Sequence, residues 1–416
     1  MELEQLTDKI RLSHSGRSIH AKLKVGGSKS ISNRVLILNA LSEVASPISN
    51  LSDSDDTQTL VQLLSSDKYV LDAHHAGTTF RFMTAYLALV GGEKILTGSA
   101  RMKQRPIGPL VDALRDIGAE IAYVENDGYP PLKIGKSLQQ CNDHIEIAAD
   151  MSSQFISALC MIAPKLPLGL TIKLVGELVS EPYLRMTLKL MQAFGVESQF
   201  DNQLITIRSQ DYISAPFTVE SDWSSASYPY AIAAIAKDAK IQLSYFKESS
   251  VQADSIIQTF SEDLGVKSSL QENTLTLEST NQNKSELEHD FLTHPDIAQT
   301  VAAIAAAKNI KISYSGLKTL AIKETDRVVA LQQELNKVGV KIAKTEDGNS
   351  EYVQSGAAKV ELPEFETYQD HRMAMALAPL ALLGPIEIIN PKVVSKSYPN
   401  FWKDLTTLGF VIEPLD

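Results

Sequence analysis

The chain has only two cysteines, Cys141 and Cys160, and their 19-residue separation fits neither a zinc-site spacing nor a disulfide framework. It has no basic tract either; the formal charge is −11, so a general nucleic-acid footprint is not expected. The longest apolar run, Met373 to Leu383, is about half the length a membrane span needs and contains Pro379. From Met1 to Leu12 charged and apolar residues alternate without the apolar stretch of an export signal. With 44 % apolar and 21 % charged residues, collagen-like, disordered and disulfide-scaffold compositions are excluded. The expectation is a soluble cytoplasmic protein without structural metal, membrane anchor or nucleic-acid partner.

What the sequence does contain is repetition. A length of 416 residues exceeds one ordinary hydrophobic core and makes two domains the expectation. Five segments share one grammar of amphipathic helix, glycine and apolar-alternating strand. They are Leu110 to Gly118, Leu188 to Gly195, Ile256 to Gly265, Val329 to Gly339 and Leu405 to Gly409, each followed by its strand. The glycines are spaced 77, 70, 74 and 70 residues apart, and glycine suits the left-handed residue that ends a helix. Four units then carry a turn (Asn126-Asp127-Gly128, Asp201-Asn202-Gln203, Glu272-Asn273-Thr274, Asp347-Gly348-Asn349) and a second strand, which reads as a hairpin. A sixth, degenerate copy is read in Thr57 to Leu64 followed by a strand over Lys68 to Leu71. Six units divide into two domains of three. Crossings near Val25–Ser28 and Glu220–Ser224 make residues 1–25 with 222–416 one discontinuous domain, and residues 26–221 an inserted one.

Several short segments concentrate small and basic residues. Gly26-Gly27-Ser28-Lys29-Ser30-Ile31-Ser32-Asn33-Arg34 opens a helical pattern, and free N–H groups at such a start suit an anion. It is not a Walker A loop, because Ser28 precedes the lysine where that motif has glycine. A capped surface turn is the equal alternative. Ala76-Gly77-Thr78-Thr79-Phe80-Arg81 also opens a helix. Arg101, Lys103 and Arg105 place three cations within five residues, which repel unless an anion or solvent compensates. In Lys323-Glu324-Thr325-Asp326-Arg327, Lys323 and Arg327 fall on one helical face, and a surface helix laced with ion pairs explains that segment equally. Asp370-His371-Arg372 and Lys396 are uninformative singly. His74 and His75 beside Asp72, or His289 and His294 beside Asp296, match no common zinc spacing.

Taken together and in order, GSKSISNR, AGTTFR, RMKQRPIG, SSQF, SEPY, SDWSSASY, KETDR and DHRMAM closely resemble the EPSP synthase family of enolpyruvyl transferases. The resemblance spans essentially the whole chain. It implies an α/β fold, a two-domain inverse α/β barrel in which each domain holds three βαβαββ units about a pseudo-threefold. It also implies transfer of the enolpyruvyl group of phosphoenolpyruvate to the 5-hydroxyl of shikimate 3-phosphate, by addition and elimination through a tetrahedral intermediate. No metal or organic cofactor is implied, and a monomer that closes on substrate is the expected state.

Carried over residue by residue, the resemblance assigns Lys29, Ser30, Arg34, Ser152, Ser153, Gln154, Ser180, Tyr183, Asp296 and Lys323 to shikimate 3-phosphate. Lys29, Gly77, Arg105, Gln154, Arg327, Arg372 and Lys396 fall to phosphoenolpyruvate. Asp296 matches the base, Glu324 the acid and base at the methylene carbon, and Lys29 the acid assisting phosphate departure. Arg81 lies on a matched helix but receives no contact. The sequence departs from the family pattern at Gly26 and Phe82, at His75 in place of the usual asparagine, and at Thr319 where many members carry asparagine. The rival readings are the sister transferase acting on UDP-N-acetylglucosamine and a catalytically silent binding protein. The first expects a cysteine near the RPIG-like segment, and none occurs between Thr97 and Pro109.

Overall fold

The computed structural model describes residues 5–149, 152–178, 181–213, 215–280, 282–346 and 351–415. The chain divides into two compact units, Gly27–Val219, and Met1–Gly26 together with Glu220–Asp416. One pairing rule generates five four-stranded sheets among the described residues: a parallel pair followed by two antiparallel steps. In the inserted unit His144–Ala148 runs parallel to Leu170–Val175, which pairs antiparallel with Leu204–Ile207 and through it with Ser198–Asp201. Val70–Asp72, Lys94–Thr97, Leu132–Ile134 and Ile121–Tyr123 repeat the pattern. So do Glu286–Asp290, Lys311–Ser315, Tyr352–Ser355 and Lys341–Lys344 in the discontinuous unit.

That unit is discontinuous because the N-terminal segment completes two of its sheets. Ser18–Leu23 lies parallel to Asp238–Ser244, and Lys9–Ser13 sits between Ile386–Ile389 and Val411–Leu415. Parallel neighbours need a long crossover, and a helix supplies it. Ser153–Ile162 links His144–Ala148 to Leu170–Val175, and Ala298–Lys308 links Glu286–Asp290 to Lys311–Ser315.

These crossover helices are apolar on every side, as helices surrounded by other elements must be. Trp223–Ile235, Ala298–Lys308 and His371–Leu377 pack against one another. Every residue of Trp223–Ile235 is buried except Ser224, and every residue of Ser153–Ile162 except Gln154. In both helices the one residue left uncovered sits in the first turn, where backbone N–H groups have no partner within the helix. Among the described residues no helix is long and apolar enough to cross a membrane.

The five repeat glycines, Gly118, Gly195, Gly265, Gly339 and Gly409, all adopt positive φ. Two-residue turns with both residues left-handed, Asn202-Gln203 and Glu272-Asn273, close their hairpins. The turn read at Asp347-Gly348-Asn349 lies outside the described residues. Two sequence expectations fail. Lys68 to Leu71 is not the trailing strand of a sixth copy: Val70–Asp72 pairs parallel with Lys94–Thr97 and opens the next unit. The helix of the sixth copy is present as Asp55–Leu64, but among the described residues its sheet is reduced to Ile48–Ser49 beside Phe217–Thr218. Ile256 to Gly265 is not one helix either but a single α-turn, Ile257–Phe260, between 3₁₀ turns. Ser255, Thr259 and Ser261 each bond a carbonyl three residues back, a local pattern that competes with a continuous helix.

Candidate active site

In the discontinuous unit a charge cluster forms at the ends of short elements. Asp370 caps His371–Leu377 by accepting from the Arg372 amide at 2.9 Å, and its carboxylate also receives Arg327 Nε at 2.7 Å. Arg327 opens the helix Arg327–Asn336 that Asp326 caps through the amides of Val328 and Val329. The Arg327 guanidinium, 1 % exposed, then reaches Asp296 at 3.0 Å and Glu324 at 3.0 Å. Arg372 Nη2 lies 2.8 Å from the other Asp296 oxygen, with Lys323 at 3.7 Å from Asp296 and Lys396 at 2.5 Å from Glu324.

Asp296 and Glu324 are thus each held between cations. Burial by itself would raise the Asp296 pKa, but Arg372, Lys323 and Arg327 outweigh it and hold the carboxyl well below the usual range. Arg327 shows the reverse balance. Its burial disfavours the charge, yet Asp370, Glu324 and Asp296 push its pKa above the ordinary value. For Lys323, burial prevails and lowers the pKa despite Asp296.

The KETDR segment is therefore not one helical face. Asp326 ends the turn that carries Lys323, Glu324 and Thr325, and the helix begins only at Arg327. Lys323 reaches Asp296 instead of stacking one turn from Arg327.

In the inserted unit the matching residues also gather at helix starts. Ser28 caps Lys29–Leu41, placing Lys29 and Ser30 in its first turn, with Lys29 Nζ 3.9 Å from Asp56. Ser152 caps Ser153–Ile162, and Gln154 donates to Thr78 Oγ1 at 3.0 Å in the first turn of Gly77–Val90. That last helix has no side-chain cap. Gly77 leaves little room there: a Cβ would stand 2.4 Å from Arg105 Nη1 and 3.1 Å from Arg81 Nη1. Arg81 also donates to the Gly77 carbonyl at 2.9 Å.

Arg34 is buried, with Nε on Thr187 Oγ1 at 2.7 Å and Nη1 on the Ser30 carbonyl at 2.9 Å. Longer bonds of 3.4 Å reach Ser157 and the Tyr183 carbonyl. Its guanidinium tethers three helices, and burial lowers its pKa to about 10. Ser180 lies outside the described residues. His75 is exposed, and Thr319 sits in the turn Lys318–Ile322 with its hydroxyl buried and unpartnered among the described residues. His289 and His294 pair with each other at 2.7 Å, whereas Asp296 turns to the arginines.

Sequence reasoning passed over Asp370, Asp254, Ser224 and Thr78. The one available signal was position: each acidic or hydroxyl residue of this group except Asp254 stands at or just inside a helix start, where Asp, Ser and Thr concentrate.

A two-unit α/β protein with cations collected at helix starts has the chemistry that suits multiply anionic small molecules. The family model described as EPSP synthase (3-phosphoshikimate 1-carboxyvinyltransferase) matches residues 14–68 and 60–405, and the chain belongs to that family. It is 45 % identical over 401 residues to the 3-phosphoshikimate 1-carboxyvinyltransferase of Bacteroides fragilis, covering 95 % of this chain and 97 % of that one. It is 35 % identical over 427 residues to the enzyme of the same name from Pectobacterium atrosepticum, covering 95 % and 98 %. The EPSP synthase structure from Acinetobacter baumannii superposes with a TM-score of 0.77 at 19 % identity, covering 97 % of this chain and 99 % of that one. The fold is the two-domain inverse α/β barrel of that family.

Proposed function

We propose that this chain transfers the enolpyruvyl group of phosphoenolpyruvate to the 5-hydroxyl of shikimate 3-phosphate, releasing phosphate. The observation that carries the reading is the 45 % identity extending over 95 % of the chain. The charge cluster supports it chemically. In our reading Arg327, Arg372 and Lys396, with Gly77, Arg105, Gln154 and Lys29, hold phosphoenolpyruvate. Lys29, Ser30, Arg34, Ser152, Ser153, Gln154, Tyr183, Asp296 and Lys323 serve shikimate 3-phosphate. The protein acts as a monomer in the cytoplasm.

Asp296 takes the proton of the 5-hydroxyl as its oxygen attacks C2 of phosphoenolpyruvate, while Glu324 delivers a proton to the methylene carbon. The product of addition is a tetrahedral ketal phosphate. Its C2–O bond to phosphate then breaks as Lys29 protonates the leaving oxygen, Glu324 removes a methyl proton to restore the double bond, and the proton held by Asp296 is released to solvent as Lys29 is reprotonated. The cluster's self-pairing gives this sequence a trigger. Without ligand, Arg372, Lys323 and Arg327 hold the Asp296 carboxyl low against its burial; phosphate and carboxylate groups that draw Arg372 and Lys323 away leave Asp296 a stronger base.

Phosphate release should require both phosphoenolpyruvate and shikimate 3-phosphate. Release with UDP-N-acetylglucosamine as acceptor would favour the sister transferase, and no release with either acceptor would sink the enzymatic reading.

A further inference from the structure

Asp254 is a buried carboxyl that the proposed chemistry leaves unused. It lies in the turn Ala253–Ile256 of the discontinuous unit, 3 % exposed. Its Oδ2 is hydrogen-bonded by the Ser224 hydroxyl, whereas Oδ1 is buried with no partner among the described residues. The turn is fixed in place by Gln252, which accepts from the Trp223 amide at 3.0 Å and donates to the Ser221 carbonyl at 2.9 Å. Those bonds clamp Asp254 to the start of Trp223–Ile235, beside the one residue of that helix that is not buried. Ser224 Oγ lies 3.4 Å from Arg372 Nη2, and the same nitrogen lies 2.8 Å from Asp296. A line of contacts runs from Asp254 through Ser224 and Arg372 to Asp296.

An ionised carboxylate with one oxygen unpartnered in a buried site is costly, and the neutral form less so. The charged groups around it deepen that bias. Asp296 on the Pro295–Ile297 turn and Asp222 at the helix cap oppose a negative charge, and Arg372 on His371–Leu377 favours it. The Tyr228 phenol, on the same helix as Ser224, is kept neutral by its own burial. Burial first, then the Asp296 charge, raise the Asp254 pKa to about 7.

We propose that Asp254 is a positioning residue that, in its protonated form, aims Arg372 and the Ser224 hydroxyl at the phosphoenolpyruvate anion; this rests on the function proposed above. A protonated Asp254 donates to Ser224 Oγ. That oxygen has two lone pairs and accepts from Arg372 as well, so its own hydrogen is free to meet an anion. Once Asp254 ionises, Ser224 must donate to it instead. Arg372 then also has a second carboxylate nearby that competes with the ligand. Anion binding and proton uptake at Asp254 are therefore linked.

The test compares the full-length chain with its Asp254→Asn and Ser224→Ala variants, measuring KM for phosphoenolpyruvate and kcat from pH 6 to 9 at saturating shikimate 3-phosphate. The ligand's own ionisation is common to all three, so ratios isolate the protein. Asn keeps a donor toward Ser224 and cannot ionise. The ratio of wild-type KM to Asp254→Asn KM should rise about tenfold between pH 6.5 and 8.5, the order expected from one linked proton. Ser224→Ala should raise KM more than it lowers kcat, and this arm stands if Asp254→Asn does not fold. A ratio constant across the range, or equal losses in KM and kcat for Ser224→Ala, overturns the inference. A wild type inactive with both substrates overturns the proposed function instead.

Discussion

Two buried arginines, one in each unit, meet opposite surroundings. Arg327 is ringed by Asp370, Asp296 and Glu324, which hold its charge more firmly than water would. Arg34 rests on Thr187, Ser157 and two carbonyls, with its guanidinium 5.3 Å from the Phe82 ring, and its pKa falls to about 10. The same side chain does different work. Where the proposed proton transfers occur, acids and cations alternate, so an arriving anion changes the basicity of its neighbours. Around Arg34 the wall is neutral and hydroxyl-rich, and the arginine sets helix positions. Recognition can be built from a rigid neutral wall; acid–base chemistry needs charges whose partners can change.

Breaking that contrast should have its largest effect on stability. Arg327→Met strands the buried Asp370 carboxylate, and removing one partner of a buried ion pair typically costs about 3–5 kcal/mol. Arg34→Met leaves only hydroxyls and carbonyls unsatisfied, on the order of 1–3 kcal/mol. Urea unfolding of the two variants should rank them in that order. A larger loss for Arg34→Met would mean its neutral wall matters more than the charge cluster.

Next in size is the effect on turnover. Glu324 sits between Arg327 and Lys396, and as a mere ion-pair partner its loss would leave the chemistry intact. As the carbon acid and base it is indispensable. Glu324→Gln should fold and bind shikimate 3-phosphate, yet lose roughly 10²-fold or more in turnover, with solvent deuterium exchange into the phosphoenolpyruvate methylene falling in step. Lys323→Met, on the adjacent residue, should weaken shikimate 3-phosphate binding more than it slows exchange. Near-normal exchange in Glu324→Gln would move the carbon protonation to another residue.

The repeat architecture was legible in the sequence because it rests on local rules. Gly118, Gly195, Gly265, Gly339 and Gly409 end their helices with positive φ, a preference that a glycine states without tertiary help. The charge cluster was legible only in part. Asp296, Glu324, Arg327 and Arg372 are separated by up to 76 residues, and no spacing joins them. They emerged from resemblance; Asp370 appeared only inside a motif and received no role, and Asp254 did not emerge at all. Periodicity misread KETDR because Asp326 prefers capping to helix interior, a competition decided by one residue. It misread Ile256 to Gly265 because apolar spacing persists while serine hydroxyls break the helix into turns.

The smallest effects should come from two neighbours on the rim of the helix Gly77–Val90, and they sharpen the contrast within the inserted unit. A methyl group at Gly77 would collide with the Arg105 guanidinium at 2.4 Å and crowd Arg81 at 3.1 Å. Both contacts are ends of flexible side chains, so Gly77→Ala should fold normally while shifting Arg105. The affinity affected is that for the anion proposed to meet Arg105. KM for phosphoenolpyruvate should rise about tenfold, near the 1.4 kcal/mol scale of one displaced charge-assisted hydrogen bond, with the KM for shikimate 3-phosphate much less changed. His75, two residues earlier, is exposed and stands where relatives are expected to carry asparagine. Its replacement disturbs no packed guanidinium, so His75→Asn should change the same KM by about twofold at most, the surface scale of effect. Steady-state kinetics of the two variants decide between close packing and side-chain chemistry as what this segment contributes. If His75→Asn costs more than Gly77→Ala, the segment acts through the histidine, and the crowding at Gly77 is incidental to binding.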